Sequence, residues 1–362
     1  MVSGIVDDHA GDVACLVVMP RPVYTGAGNG GDTAEVQSLT KRRMTPDEIA
    51  ALVQHGLGPD AEVLASSEFT DSYFSTVHAV TLTDGSELVL KIAPEPGPAL
   101  LRYEVDLIHT EIEFYRRAGA AGVPLPELVV AEPDHGYLLT RRLRGQPLGS
   151  VAETMTRGQL EAVRREIGEI CTRLRRVIGT QFGYPRRDGR TRSASWRASF
   201  LTMVDDILAD AVDHGCELPE HPVRIRELVE RHSVLLDEVA TPVLVHFDLW
   251  DGNVFVVDDG DGSYRVEGII DGERAFYGDA IAELTSLAFF ADPATVPGVL
   301  DGFLGRQLSD SETVRLSLYR VYLYLIMVTE GVPRGFDPVE HGPVRRYVLA
   351  QLDDELAYLS RR

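Results

Sequence analysis

The run Val245-His246-Phe247-Asp248-Leu249-Trp250-Asp251-Gly252-Asn253 holds the side chains of this sequence best placed to do chemistry. Apolar Val243, Leu244 and Val245 lead into it and Val254-Phe255-Val256-Val257 leads out, so it reads as a polar loop between two short buried strands. A further apolar run, Val266 to Ile270, ends on Asp271. Such a loop presents one carboxylate, Asp248, to a hydroxyl group and one amide oxygen, Asn253, to a metal ion. Asp271 arrives from the next strand as a second oxygen ligand. Phosphoryl transfer needs this set: a base for the acceptor hydroxyl, and hard oxygen ligands for the magnesium that bridges the phosphates. A lone His-x-Asp would read as solvated loop. The complete spacing, with strands on both sides, favours chemistry.

A cation for the phosphates lies upstream. Residues 73–82 alternate in the manner of a strand, Asp84-Gly85 turns the chain, and Glu87-Leu88-Val89-Leu90-Lys91-Ile92 returns as the second arm of a hairpin. Lys91 sits between apolar neighbours, and an ammonium buried there needs an anion or a carboxylate beside it. A helix expected near 101–118 carries two candidates, Glu104 and Glu111, seven residues apart on one helical face. Periodicity does not choose between them.

The pattern His246-x-Asp248-x-x-x-x-Asn253, followed by Ile270-Asp271, resembles the aminoglycoside phosphotransferase family, a small-molecule branch of the protein-kinase-like fold. The resemblance implies an α+β, bilobal architecture, with a small antiparallel-sheet N-terminal lobe and a larger, mostly helical C-terminal lobe. It implies that Asp248 takes the acceptor's proton, that Asn253 and Asp271 hold Mg²⁺, and that Lys91 grips the phosphates of ATP or GTP. In that family the helix glutamate stands at a fixed distance before a Val-Pro-x-Pro turn. Counting back from Val123-Pro124-Leu125-Pro126 favours Glu111, with Glu104 second. The stretch 137–145 becomes the hinge, so that the backbone around Thr140 and Arg142 would bind the base. His246 is read as a hydrogen-bonder that shapes the loop. Asp279, in Gly278-Asp279, is read as capping the following helix and bracing the catalytic loop. Three departures stand out. The segment 66–75, which should fold over the phosphates, has no glycine; Phe247 stands where glycine is common; and Glu283 stands where aspartate is frequent. Glu273 is open between support of the site and plain solvation.

The chain has 362 residues, 44% of them hydrophobic, enough for two lobes with their own cores. Lys and Arg number 35 against 56 Asp and Glu, a net charge of −21 that argues against nucleic-acid binding. Cys15, Cys171 and Cys216 are too few and too scattered for a disulfide framework or a zinc pattern, and a reducing cytoplasm is the expected setting. No apolar run is long enough to span a membrane. Residues 1–43 are expected to be poorly ordered, since 20–43 are rich in Gly, Pro, Thr and polar residues. Thr45-Pro46-Asp47-Glu48 then opens a helix with a capping box, so the sheet lobe is assigned to 44–142 and the helical lobe to 143–362. In the latter, Leu160, Val163, Ile167, Ile170, Leu174 and Val177 form an amphipathic stripe. Further helices are expected near 196–214, 222–239, 279–290, 311–330 and 342–360.

Asp206, Asp210, Asp213 and Glu217 recur at steps of four, three and four in the first of these, putting four acids on one face. Such a stripe is ordinarily solvated surface. In the resembled family, however, helices of this region help build the acceptor site, so a cationic acceptor is the sharper expectation. The main reading is therefore a kinase of a small molecule, with the acceptor unnamed. A non-catalytic ligand-binding protein of the same fold is the alternative, and its mark would be loss of Lys91, Asp248, Asn253 or Asp271. A metallohydrolase built on His246 and Asp248 lacks further ligand motifs.

Overall fold

Thr45 accepts a hydrogen bond from the Glu48 amide and Glu48 reaches back to the Thr45 amide, which starts α1 (Pro46–Leu57) as the capping box requires. In the computed structural model, which describes residues 38–70, 72–95, 97 and 100–362, this helix lies against a five-stranded antiparallel sheet. The strands are β1 (Val63–Glu68), β2 (Thr76–Leu82), β3 (Glu87–Ile92), β4 (Leu128–Glu132) and β5 (Tyr137–Arg141), ordered β1-β2-β3-β5-β4. Along β2 every second residue is buried, the period-2 signature of a sheet with one face on a core. Ile49 and Val53 of α1 complete that core with Val80, Leu88, Leu90 and Leu139. On the sheet lies α2 (Leu107–Ala120).

The single helix expected over 101–118 is two pieces. Arg102–Glu104 is a 3₁₀ turn, Val105 is extended, Asp106 adopts a left-handed φ of 69°, and only then does α2 begin. Tertiary ion pairs override the helical pattern here. Glu104 accepts from the Leu101 amide at 2.8 Å and pairs with Arg334 at 2.5 Å, while Asp106 is bonded by Arg187. Glu104 and Glu111 therefore share no helical face.

The rest of the chain is mainly helical. It runs through β6 (Gln146–Pro147), α3 (Leu148–Val151), α4 (Arg157–Leu174), α5 (Trp196–Asp213) and α6 (Pro222–His232). Then come β7 (Val243–Val245), β8 (Val254–Asp258), β9 (Tyr264–Ile269) and β10 (Phe276–Gly278). Four helices close it: α7 (Leu284–Leu287), α8 (Val299–Phe303), α9 (Asp310–Thr329) and α10 (Pro338–Arg361). The stripe of α4 is buried at Val163, Ile167, Ile170 and Leu174. Two small sheets, β6-β8-β9 and β7-β10, hold the polar loop 246–253 between β7 and β8. The stretch expected to be helical over 279–290 gives only a 3₁₀ turn and the four-residue α7. Side-chain bonds from Glu283 and Ser286 to the loop fix the backbone there. Among the described residues, no helix is long and apolar enough to cross a membrane.

Residues 1–37, most of the segment expected to be poorly ordered and with it Cys15, lie outside the described residues. Residues 38–43 correct the boundary drawn at Met44. The Leu39 amide donates to Arg334 O at 2.9 Å, Thr40 Oγ1 to Phe74 O at 3.0 Å, and the Arg42 amide to Thr76 Oγ1 at 2.7 Å. Bonds to both lobes make this short segment part of the structure.

Candidate active site

Strand β3 delivers Lys91 to the cleft between the lobes, opposite Leu138 of β5 and Val77 of β2. Its Nζ lies 2.7 Å from Glu111 Oε2 of α2, 2.7 Å from Glu273 Oε2, and is bonded to Asp271 Oδ1. Glu111, not Glu104, is thus the partner. Burial works against the lysine's charge, but Asp271, Glu111 and Glu273 outweigh it and hold Lys91 well above its usual value. For Asp271 burial acts upward, and Lys91 reverses it, so this carboxyl is held below its usual range. Burial pushes Glu111 up. Three carboxylates around one ammonium leave an excess of negative charge, which suits a divalent cation. Glu273, open between support and solvation in the sequence, is buried and part of this cluster.

The turn carrying Asp271, Glu273 and Arg274 can approach α2 because residue 272 is glycine. A Cβ there would meet the Phe114 ring at 2.3 Å. Asp271 itself takes a left-handed φ of 67°, which a short polar side chain tolerates.

The polar loop is held by its own side chains. His246 Nε2 donates to Ile270 O at 2.9 Å, and Nδ1 accepts from the Asp248 amide at 3.3 Å. Both nitrogens are used, and burial pulls the imidazole down to about 4. His246 is therefore a neutral staple between the loop and the strand end that carries Asp271. Asn253 Nδ2 donates to Asp248 O at 2.8 Å, and Asn253 O accepts from the Ile270 amide at 3.0 Å. With Nδ2 so fixed, Oδ1 is the atom Asn253 has to offer a cation.

Asp248 lies at the floor of the cleft with 21% of its side chain exposed, 3.9 Å from Arg274 Nη1. Burial raises its carboxyl to about 7; Arg274 opposes this, and Asp271, Glu273 and Glu330 reinforce it. A carboxylate poised near neutrality suits a general base. Arg274 also reaches Glu330 at 2.9 Å, and Glu330 reaches Arg334 at 3.1 Å. No spacing in the sequence signals this chain of ion pairs, because residues 274, 330 and 334 meet only in the fold.

Glu283, noticed in the sequence only as a departure, sends Oε2 to the His246 amide at 2.8 Å and Oε1 to the Phe247 amide at 3.1 Å. Phe247 has a φ of 66°, a conformation that explains why glycine is common there. Its ring is held by Phe276 and Tyr322 at 5.0 and 5.8 Å between centroids. The brace of the catalytic loop is thus Glu283. Asp279 does cap the Ile281 amide, as expected, at 3.1 Å, but its other bonds, from Arg315 Nε and Tyr319 OH, both at 2.8 Å, run to α9 and not to the loop.

Two further expectations change. The hinge residues Thr140 and Arg142 have backbone tied into the sheet: Thr140 pairs with Val89 and Leu128, and the Arg142 amide donates to Glu87 O at 3.1 Å. Past them, the Gly145 amide is engaged by Glu267 at 2.7 Å. The acidic stripe of α5 is not an open face either. Asp206 receives Arg190 Nε at 2.7 Å, and Asp210 accepts from the Arg102 amide at 2.8 Å. Asp213 takes Arg102 Nη2 at 2.6 Å, and Glu217 lies beyond the helix end. Asp206 and Asp210 are buried, and buried carboxylates need such partners. They anchor the chain before α2 and the loop before α5, and of the stripe acids within α5 only Asp213 remains exposed.

A family model described as a phosphotransferase enzyme family matches residues 68–318. The fold is shared with solved structures of low sequence identity. A proposed fructosamine-3-kinase from Thermobifida fusca is 22% identical, with a TM-score of 0.63 over 88% of this chain and 100% of that one. The ADP-bound aminoglycoside phosphotransferase APH(2'')-Ib is 15% identical, with a TM-score of 0.55 over 85% and 99%. A choline/ethanolamine kinase family protein from Mesorhizobium loti is 18% identical, with a TM-score of 0.53 over 88% and 100%. No curated protein matches the chain in sequence.

Proposed function

The chain belongs to the phosphotransferase enzyme family, and we propose that it transfers the γ-phosphate of ATP or GTP to a hydroxyl of a small molecule. The observation that carries this reading is the convergence of Lys91, Glu111 and Asp271 on the cleft that Asp248 and Asn253 line from the other side. Lys91, oriented by Glu111, receives the phosphates. Asp248 accepts the hydrogen bond of the acceptor hydroxyl and takes its proton as the new O–P bond forms and the bond from the γ-phosphorus to the departing ADP or GDP breaks. Asn253 Oδ1 and the Asp271 carboxylate are the hard oxygen ligands that would hold Mg²⁺, and the excess negative charge around Lys91 fits them for it. When bound, that ion neutralises charge on the phosphate oxygens. Pairing of Asp248 with Arg274 keeps the base oriented.

The acceptor we propose is an amine-bearing alcohol. The names of the structural neighbours span fructosamine, aminoglycosides and choline or ethanolamine, and the net charge of −21 draws cations toward the molecule. A nucleotide-consumption screen with Mg²⁺, run over amino sugars, aminoglycosides, macrolides and amino alcohols with ATP and GTP in parallel, tests the reading. Acceptor-dependent release of ADP or GDP is expected. Nucleotide binding without turnover across the panel would favour the non-catalytic alternative.

The raised carboxyl of Asp248 gives a second expected result. The base works ionised, so kcat/KM should fall as pH drops below about 7, the value to which Asp248 is raised, with a limiting slope of about tenfold per pH unit. An acceptor whose own groups do not titrate in that window makes the profile readable. A flat profile between pH 5.5 and 8 would remove Asp248 from the role of base.

A further inference from the structure

We propose that His55, Glu132 and His135 form a binding site for a borderline transition-metal dication, Zn²⁺ in the first place, on the outer side of the sheet lobe. One ligand atom from each of these three lies within 4.8 Å of the other two. The residues are far apart in sequence and meet by packing. His55 stands in the last turn of α1, Glu132 ends β4, and His135 lies in the turn before β5. Residue 56 is glycine, and a Cβ there would meet Val130 Cγ1 at 2.7 Å and the Tyr137 hydroxyl at 3.2 Å. Its absence lets the end of α1 press onto the hairpin and brings His55 beside His135, with ring centroids 4.4 Å apart.

The geometry is that of a nearly assembled site. His135 Nδ1 and Glu132 Oε2 are 3.2 Å apart, close to the ~3.3 Å between neighbouring ligands of a tetrahedral Zn²⁺ with bonds of about 2.0–2.1 Å. The Tyr137 hydroxyl, on a fully buried side chain, lies 2.7 Å from His55 Nδ1. That bond fixes the ring as outer partners of metal-bound imidazoles do, and leaves Nε2 as the ligand atom. Two imidazoles and one carboxylate select Zn²⁺, Ni²⁺ or Cu²⁺ over Mg²⁺, and three protein ligands leave a position for water. The oxygen-only cluster of Glu111, Asp271 and Glu273 has the opposite preference. Tyr137 is paired with Ile92, the neighbour of Lys91. Metal at this site therefore clamps α1 onto the β4–β5 hairpin, whose β5 pairs with the strand that carries Lys91.

Titration of the full chain with ZnCl₂ in millimolar MgCl₂, read by calorimetry and by thermal melting, tests the proposal. The wild-type protein should bind one Zn²⁺ saturably and melt higher with it. His55→Ala and His135→Ala, both exposed positions outside the cleft, should bind at least tenfold more weakly and lose the thermal shift. Without zinc His135→Ala should melt like the wild type, and His55→Ala, which also removes the bond to the buried Tyr137, should melt lower. Protons compete for the imidazoles, so binding should weaken in acid. Wild-type affinity in both variants would place the zinc elsewhere, and absence of saturable binding to the wild type would remove the site altogether.

Discussion

Asp248→Asn should lower kcat by a hundredfold or more while leaving nucleotide affinity nearly unchanged. General-base catalysis commonly contributes about 10²–10⁴-fold, and the amide keeps the shape of the side chain while losing its basicity. The backbone bond that positions Asn253 runs from Asp248 O, which the substitution retains, so the effect should sit in kcat and not in nucleotide Kd. Stability should move in the opposite direction. Asp248 is raised from 3.8 to about 7, burial being the first cause. A group raised in the folded state supports folding below its ordinary value, and that support is lost as pH rises through about 7. At pH 8 the ionised carboxylate therefore weighs against the fold, and the asparagine variant should melt higher than the wild type. Activity traded against stability is the signature of a group kept for chemistry. Turnover above about a tenth of wild type, on whichever acceptor the screen returns, would show that another group takes the proton.

What the sequence made legible follows from distance along the chain. Loop 246–253 could be read because its chemistry and its flanking strands lie within one short stretch, and β7 and β8 stand where the apolar runs placed them. Lys91 could be read because an ammonium in an apolar strand poses its own question, and Glu111 was reachable through a local count to the Val123-Pro124 turn. Glu104 illustrates the limit. By period it lay on the face of Glu111, yet Arg334, far along the chain, takes it out of the helix at 2.5 Å. Periodicity knows nothing of that partner. The α5 acids show the same limit: their spacing is correct for one face, but Arg102 and Arg190 come from segments whose course the pattern does not encode. Residues 38–43 lack apolar periodicity, and their order comes from hydrogen bonds to Phe74, Thr76 and Arg334. His55 and His135 have no ligand spacing in the sequence, because only the seat of α1 on the hairpin joins them.

Glu283→Ala should be among the most destabilising single substitutions in the helical lobe, and it should also slow turnover without touching either substrate. The carboxylate is 2% exposed and is the partner of two buried backbone donors, the amides of His246 and Phe247, at 2.8 and 3.1 Å. Burial raises its carboxyl to about 7 even though both amides pull it down, so the fold tolerates a desolvated acid to keep those bonds. Removing it leaves two orphaned N–H groups, each costing about 1–3 kcal/mol. It also frees Phe247 from a left-handed conformation that disfavours a bulky residue by about 1–2 kcal/mol, and relaxation there shifts the residue next to Asp248. A loss of about 2–6 kcal/mol in urea unfolding is expected, with kcat falling more than KM rises, because the misplaced group acts on the transferring proton. Glu283→Gln separates the two effects. It keeps one acceptor oxygen but turns an amide N–H toward the second backbone donor, so its losses should fall between those of alanine and wild type. An alanine variant within about 0.5 kcal/mol of wild type and equally active would show that Phe247 is held in place by its ring alone.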